Sequence, residues 1–349
     1  MTRTRTCSSS TRSGNSRTTP PGIEPDAPPW AWVGRAVLDS GLAPRLSAGI
    51  NLLHTATTIH LLGGGYVNTV WPHHVSLLVG GRRGYRADRE RGPWPPGRDW
   101  CAPRVDRPGH GVAPSTSSMC VTRRRRRRSM GGVAGVRNSG DDAWLALNRP
   151  QPAIYRDETP ADAPGHGHGV VLCLQSDLTE KFTGSRGSGA EALAGFVHDT
   201  LDAWEVPGTG GVTVVEGIPG HDYEVPFRLG SRLDGARILS FRDVWLDGLP
   251  AGQGNTWIST RFHPHLMAAA AGGDPGVAVV PMPVYYSIKH RSLVEAGSSW
   301  SVVDSGDTIP PDRPTAGGFG TMQRQRAIEA KVATALDIYP VAALFAHRV

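Results

Sequence analysis

The carboxyl-terminal half of the chain alternates between short apolar runs and longer stretches with one apolar face. Runs rich in Val, Ile and Leu predict strands, whereas apolar residues that recur every three or four positions predict helices. The predicted strands are Gly169–Gln175, Val212–Val215, Arg237–Phe241, Trp257–Ser259 and Val277–Val280, and the predicted helices are Gly189–Val206, Val225–Leu233, His265–Ala271 and Ser287–Glu295. This alternation predicts an α/β fold with a parallel sheet covered on both faces. A last amphipathic helix, Met322–Ile338, is expected to pack back across the molecule.

The amino-terminal half gives a weaker form of the same pattern. Arg35–Leu53 has helical apolar spacing, interrupted by Gly and Pro. Thr57–Leu62 is an apolar, partly β-branched run that leads into three glycines, Gly63 to Gly65, and then a second helical stretch, Trp71–Leu78. A strand, a glycine turn and a helix are typical of an α/β layer. Asp141–Leu147 predicts a turn into a buried strand or a short helix, and residues 150–169 have the composition of a linker.

Residues 81–130 break this pattern. They contain fourteen Arg, four acidic residues, no Leu, Ile or Phe, and a run of six Arg from Arg123 to Arg128. No stretch of this segment has an apolar face to bury, so we expect no element of an α/β core in it. It is either a basic disordered insert that contacts phosphates or a stretch translated in a shifted frame of GC-rich DNA. The abrupt change of composition at both ends favours the shifted frame.

The net charge of +6 misrepresents most of the chain. Residues 1–18 and 81–130 hold 18 of the 37 basic residues, and the remainder carries 19 basic against 27 acidic residues. The total charge therefore does not indicate nucleic-acid binding. Binding of nucleic acid through Arg123–Arg128 is kept as an alternative, although no stacking aromatics interleave with that run.

Cysteines and apolar runs bear on the compartment and on metal binding. The four cysteines form no CxxC pair, so neither a metal site nor a disulfide framework is expected. No apolar run approaches the ~20 residues that span a bilayer, and no secretory signal is visible. We therefore expect a cytoplasmic protein without a membrane span, with peripheral membrane contact left open.

Three basic side chains follow predicted strands. Arg261 and His263 come directly after Trp257–Ser259 and before an Ala-rich helix, and Lys289, one of only three lysines, lies at the next such turn. Ligands of open parallel sheets bind outside the carboxyl ends of the strands. A helix N-terminus there also favours negative charge. The sequence therefore predicts that these three residues converge on one anion.

The same stretches carry a family resemblance. Ser259–Gly272, with its S-x-R-x-H-x-H pattern and alanines, and the turn Tyr285–Lys289 resemble the carboxyl-terminal signature of the polysaccharide pyruvyl transferase family. Ile59–Asn68 followed by Trp71 resembles that family's strand and Gly-Gly-Gly loop, and Gly140–Ala143 resembles a further shared turn. The resemblance covers roughly residues 40–80 and 135–305.

The resemblance implies both a fold and a reaction. It implies two Rossmann-like halves, similar to the B-type glycosyltransferases, with the active site in the cleft between them. The donor would be phosphoenolpyruvate, whose pyruvyl group is placed as a ketal on two hydroxyls of a sugar in cell-surface polysaccharide biosynthesis. The acceptor would be a sugar or a lipid-linked oligosaccharide, and the scheme requires no metal and no further cofactor.

By position, the resemblance also assigns site residues. Arg261 would bind the phosphate or carboxylate of the donor, His263 would act as the acid or as a donor ligand, and Lys289 would support the phosphate. The other residues assigned to substrate binding are Ser259, His265, Gly64, Gly65 and Asn68. Asp222 and Asp243, near predicted strand ends, are candidate bases for the acceptor hydroxyl, although surface carboxylates fit the same pattern.

The chain departs from the family in its first half. Residues 1–29 lack the expected opening strand and turn, and an expected Arg-Asp element falls in 81–130. We therefore predict that the amino-terminal half is incomplete and that the chain is poorly active or inactive. A glycosyltransferase is the other enzymatic alternative, with Arg261 and Lys289 holding the diphosphate of a nucleotide sugar. The sequence predicts six segments along the chain. They are a disordered tail (1–29), a partial Rossmann-like half (30–80), the abnormal segment (81–130), the rest of that half with a linker (131–164), a carboxyl-terminal Rossmann-like domain (165–310) and a terminal helix with a tail (318–349).

Overall fold

A computed structural model describes residues 29–55, 58–60, 76, 80, 99–101, 119–121, 136–138, 140–148, 154–156, 169–208, 210–252, 254–283 and 285–339. The predictions for the tail 1–28, the turn Gly63–Gly65 and the arginine run Arg123–Arg128 lie outside these residues, as does all of Trp71–Leu78 except Ser76.

The chain forms two compact units, one of residues 1–59 and 71–98 and one of residues 60–70 and 99–349. In the first unit, Ala36, Ala43 and Ile50 form a small core. The helical stretch predicted at Arg35–Leu53 is interrupted between Ala36 and Ser47 by two 3₁₀ turns, the second of which begins at Pro44. The elements are α1 (Pro29–Ala36), two 3₁₀ turns (Ser40–Leu42 and Pro44–Leu46), α2 (Ser47–Thr55) and β1 (Thr58–His60).

Three short antiparallel strands lie in the larger unit: β2 (Asp99–Cys101), β3 (Met119–Val121) and β4 (Val136–Asn138). Strands β2 and β3 fall within residues 81–130, and neither belongs to the six-stranded parallel sheet of the α/β core. Strand pairing uses the backbone N–H and C=O groups, which almost every residue carries. It does not need the apolar face that this segment lacks.

The larger unit is built on a six-stranded parallel sheet in the order β9-β8-β5-β10-β11-β12. The chain thus starts in the middle, runs to one edge, and returns to run to the other, which is the Rossmann-like order 3-2-1-4-5-6. A two-stranded hairpin, β6 with β7, follows β5. The strands are β5 (Val170–Cys173), β6 (Thr183–Gly184), β7 (Gly187–Ser188), β8 (Val212–Val215), β9 (Arg237–Leu239), β10 (Thr256–Ser259), β11 (Gly276–Val279) and β12 (Ser301–Val303).

Helices cover both faces of this sheet, as the sequence predicts. Alternate side chains of a strand point to opposite faces. Leu172 of β5 accordingly packs into one core with Phe196, whereas Val171 packs into the other with Leu266 and Leu293. The helices are α3 (Ala143–Ala146), α4 (Gly189–Ala203), α5 (Glu224–Phe227), α6 (Phe241–Asp247), α7 (Phe262–Ala270), α8 (Tyr285–Glu295) and α9 (Thr321–Ile338).

The last helix packs back onto the short helix near residue 143, which confirms that expectation. The ring centroids of Trp144 and Phe319 are 5.0 Å apart, and Ile328 of α9 is buried in the same core. The segment predicted as a linker also contacts this unit. Tyr155 bridges to Leu249, and its hydroxyl donates to the Met267 carbonyl at 2.9 Å.

Some elements differ from the predictions. The helix predicted at Val225–Leu233 is the four-residue α5 followed by a 3₁₀ turn, Gly230–Leu233, and Gly230 has a left-handed φ of 55° that interrupts a continuous helix. Strand β12 and helix α6 were not predicted at all.

Candidate functional site

A cavity of about 630 Å³ opens at the carboxyl edge of the parallel sheet. Arg261, His263 and Lys289 all line it, together with side chains from the ends of β5 and β8 and from α6. The cavity lies beside β5 and β10, the neighbouring strands from which the chain runs to opposite edges of the sheet. Ligands of such folds bind at this point. The structure thus brings the three predicted cations to one place, and anion binding by them stays a prediction.

Arg261 is held by two carboxylates. Its Nε donates to Oδ2 of Asp222 at 3.1 Å, and its Nη2 donates to Oδ1 of both Asp222 and Asp177. Asp222 is completely buried and also accepts the backbone N–H of Ile218 at 2.9 Å. Arg261 therefore joins the segments that follow β5, β8 and β10. Only Nη1 of the guanidinium has no hydrogen bond to a described residue.

Arg261 and its two carboxylate partners, Asp222 and Asp177, are here called the clamp. The backbone around the clamp is tightly constrained. A Cβ on Gly217 would lie 2.8 Å from Oδ2 of Asp222, so a larger residue there would displace the carboxylate. Leu178, next to Asp177, has φ of 55°, which is unfavourable for a side chain with a Cβ. Strained residues of this kind persist where the surrounding structure fixes them, often at functional sites. The clamp is therefore a rigid feature of the sheet edge.

Lys289 differs from Arg261 because no described carboxylate forms an ion pair with it. Among the described residues, its Nζ forms no hydrogen bond or ion pair, and it lies 4.2 Å from the ring centroid of Tyr285 and 5.6 Å from that of Tyr286. Burial lowers the pKa of Lys289 to about 8; Asp141 opposes this shift and Arg261 adds to it. An anion that enters the cavity would supply the missing partner and stabilise the ammonium form.

His263 lies on the surface of the cavity, and its side chain is 62% exposed. Its Nε2 is 3.4 Å from Oδ1 of Asp141, a carboxylate that also accepts the N–H of Ala143 at 2.9 Å. A carboxylate beside an imidazole orients the ring. Asp141 thus orients the imidazole of His263 at the surface of the cavity.

His265 was predicted to bind substrate, but the structure buries it completely. Its Nδ1 is 3.0 Å from Nδ1 of His290, and its Nε2 is 2.9 Å from Oγ of Ser298. Its ring stacks on Trp300 with the centroids 4.3 Å apart. Successive residues of an α-helix are rotated by about 100°, so His265 points away from the face that carries His263. Its role is in the core.

Of the remaining predicted residues, three are described by the structure and three are not. Ser259 is fully buried, and its Oγ donates to the Arg261 carbonyl and accepts the Arg261 N–H, so it positions Arg261 without lining the cavity. Asp243 caps α6 through Ser240 and does not line the cavity either. Asp222, the other candidate base, has both oxygens occupied in the clamp. Gly64, Gly65 and Asn68 lie outside the described residues.

Sequence reasoning missed several residues of the site. Asp141 does not line the cavity, and the sequence gives no sign of its contact with His263 because that contact crosses 122 positions. Phe241 and Trp245 of α6 carry no core periodicity that would reveal them. Tyr286 lines the cavity beside Lys289, and the Tyr-Tyr pair before the lysine was the available signal.

Three comparisons complete the description of the site. No family model, curated protein or solved structure matches the chain. Within the described residues, no group of three or more His, Cys, Asp or Glu side chains is placed to hold a metal ion. None of the helices in the described part of the chain is long and apolar enough to cross a membrane.

Proposed function

We propose that the protein is a transferase that binds phosphoenolpyruvate in the cavity and transfers its pyruvyl group, as a ketal, to two hydroxyls of a sugar. The observation that carries the proposal is Lys289, a largely buried ammonium group without an anionic partner among the described residues, facing a cavity of about 630 Å³. The motif around Arg261, His263 and Lys289 supplies the choice of donor, since it resembles the pyruvyl transferase signature.

The reaction needs one proton donor and a site for a dianion. Protonated His263 delivers a proton to the methylene carbon of the donor, and C2 becomes electrophilic. One sugar hydroxyl adds to C2 and loses its proton, the C2–O bond to phosphate breaks, and the second hydroxyl closes the ketal with loss of its proton. One released proton reprotonates His263 and the other leaves with phosphate. Lys289 and Nη1 of Arg261 offset the phosphate and carboxylate charges.

We further propose that the amino-terminal residues form a partial second Rossmann-like half, and that the protein acts in the cytoplasm. The resemblance of Ile59–Asn68 to the family's strand and glycine loop supports the second half. The glycosyltransferase alternative uses the same cavity, because the Rossmann-like strand order also suits a nucleotide.

Binding of the donor tests the proposal without requiring turnover, which the incomplete first half is expected to impair. Isothermal titration of the full chain with phosphoenolpyruvate should show binding that weakens at least tenfold in Lys289→Met, equivalent to about 1.4 kcal/mol. Affinity should also fall as the pH rises above about 8, where Lys289 loses its proton. Lys181→Met, at an exposed lysine outside the cavity, is the matched control.

The outcomes separate the candidate functions. Equal affinity in Lys289→Met and Lys181→Met would remove the role of Lys289. Binding of UDP-glucose by a chain that ignores phosphoenolpyruvate would favour the glycosyltransferase. Binding of an oligonucleotide that disappears when Arg123–Arg128 is deleted, and that weakens steeply with salt, would favour the third alternative.

A further inference from the structure

Helix α6 brings two exposed aromatic rings to the cavity that contains Lys289. Trp245 is 76% exposed and Phe241 is 36% exposed, and both line the cavity. Their ring centroids are 6.0 Å apart with an angle of 25° between the planes. The two side chains, here called the aromatic platform, thus present nearly parallel apolar rings at the rim of a polar site.

The aromatic platform is held rigidly although it is exposed. Glu216, at the end of β8, accepts the N–H of Phe241 at 2.6 Å. Ser240 and Asp243 form a reciprocal capping box at the start of α6. Arg156 donates to Asp247 at 2.9 Å near the end of the helix. A short helix fixed at both ends keeps its aromatic side chains in place, which reduces the entropy that a ligand must overcome.

The cavity is too large for the proposed donor alone. Cavities of roughly 300–1,000 Å³ bind ligands of drug size, and the present volume of about 630 Å³ lies within that range. Phosphoenolpyruvate has three carbons and a phosphate, so a donor held at Lys289 leaves room for a second molecule beside the aromatic platform.

We infer that the aromatic platform binds the apolar face of a pyranose ring, which is the acceptor. This inference rests on the proposed function for the identity of the acceptor. A pyranose presents C–H groups on one face and hydroxyls at its edge, which suits apolar rings beside a polar cavity. Stacking there would leave the hydroxyls directed to solvent and to the cavity, where the donor lies.

The charges and the position of the platform argue against other occupants. Helix α6 carries Arg242 against Asp243 and Asp247, so its net charge is negative and an anionic lipid surface is not attracted. A protein docked on Trp245 would cover the rim of the cavity and exclude substrates. A sugar ring is small enough to occupy the platform while the cavity stays accessible.

Saturation-transfer NMR on the full chain tests the inference. The probes are methyl β-D-galactopyranoside, methyl β-D-glucopyranoside and methyl α-D-mannopyranoside, each at millimolar concentration. We expect saturation of the ring C–H protons of at least one probe, reduced at least fivefold in Trp245→Ala and largely retained in Trp245→Phe. Phe227→Ala is the matched control, because Phe227 is 66% exposed on α5, stacks on Tyr223, and does not line the cavity.

Each other result would overturn the inference. Absence of transfer to all three glycosides in the wild type, or equal transfer in Trp245→Ala and Phe227→Ala, removes the sugar site. Stronger transfer to the uracil protons of UMP, lost in Trp245→Ala, makes the platform a nucleobase site. A wild-type dimer that becomes monomeric in Trp245→Ala makes it a contact between copies.

The failure of this inference is separable from failure of the proposed function. Titration of Trp245→Ala with phosphoenolpyruvate should give wild-type affinity, since the donor is held elsewhere in the cavity. Glycoside binding without phosphoenolpyruvate binding in the wild type would refute the donor and leave the platform in place. Phosphoenolpyruvate binding without glycoside binding in the wild type would refute the sugar site on the platform and leave the proposed donor in place.

Discussion

At the scale of single residues, the two cations of the cavity have different roles. The charge of Arg261 is balanced by Asp222 and Asp177, whereas Lys289 forms no ion pair with a described residue and lies over two tyrosine rings. A balanced, buried ion pair fixes geometry, and an unbalanced cation is able to bind a ligand. We therefore assign positioning of the strand ends to Arg261 and recognition of the anion mainly to Lys289.

This division predicts unequal effects for the two carboxylates of the clamp. Asp222→Asn leaves the Arg261 guanidinium in a buried environment without its main partner, and we expect a loss of about 3–5 kcal/mol in the free energy of unfolding. Asp177 has a side chain that is 41% exposed. Asp177→Asn should therefore cost only about 0.2–1 kcal/mol.

Urea unfolding monitored by circular dichroism measures both variants under the same conditions. Similar losses for Asp222→Asn and Asp177→Asn would show that burial of Asp222 does not determine the strength of the clamp.

At the scale of elements, helices α7 and α8 are joined through two buried histidines. His290 Nε2 lies 3.3 Å from the Thr260 carbonyl, which fixes the proton of the neutral ring at Nε2 and leaves Nδ1 as an acceptor for His265. His265 Nε2 then accepts the hydroxyl proton of Ser298. The contact between the two Nδ1 atoms has one donor and one acceptor only while at least one of the two histidines is neutral.

The histidine pair predicts a pH dependence of stability. Burial lowers the pKa of His290 to about 4 and lowers that of His265 well below its usual value. The unfolded chain binds protons near pH 6.5, which the folded chain does not. Stability from this pair is therefore complete above pH 6.5 and falls as the pH is lowered towards 4, by up to about 1.4 kcal/mol per pH unit for each histidine.

Urea unfolding between pH 7.5 and 4.5 measures this slope. His290→Gln should reduce it, whereas His221→Gln, at an exposed histidine, should leave it nearly unchanged. A slope that is the same in both variants would contradict the assignment.

The elements also show which parts of the structure the sequence could predict. Val170–Cys173 and Gly276–Val279 are buried at every position, and continuous apolar runs of this kind identify interior parallel strands. Strand β12 has only three residues, one of them an exposed serine, so no run marks it. Helix α6 was missed because none of its residues is buried, and periodicity detects only a face that packs on a core.

The sequence likewise predicts only part of the candidate site. Arg261 and His263 follow β10, and strand ends are recognisable in sequence. Lys289 was predicted at a turn, but it lies inside α8, on the helix that follows β11. Asp222 was also found near a strand end, but as a candidate base and not as a partner of Arg261. Asp177 and Asp141 could not be found in this way, since their contacts with Arg261 and His263 join residues far apart in the chain. His265 was misassigned because a motif shows spacing and not the direction in which each side chain points.

At the scale of the larger unit, its last helix is connected to the cavity through one lysine. Lys331 of α9 is 3% exposed, lies 2.5 Å from Oδ1 of Asp142, and donates to the Gly140 carbonyl at 3.0 Å. The residue between these two is Asp141, the partner of His263. The carboxyl-terminal helix therefore helps to hold the turn that orients a proposed catalytic side chain.

Loss of this lysine should affect the whole unit. Lys331→Met leaves the mostly buried carboxylate of Asp142 without its cation, and we expect a loss of about 3–5 kcal/mol in the free energy of unfolding. Lys181→Met, at an exposed lysine, should change it by no more than about 0.5 kcal/mol. In hydrogen exchange, the amides of residues 140–148 and of α9 should lose protection together in Lys331→Met, because the ion pair of Lys331 with Asp142 helps to join them. Addition of Asp142→Asn should recover part of the loss. If α9 alone lost protection while residues 140–148 kept theirs, the turn at Asp141 would be held independently of the last helix.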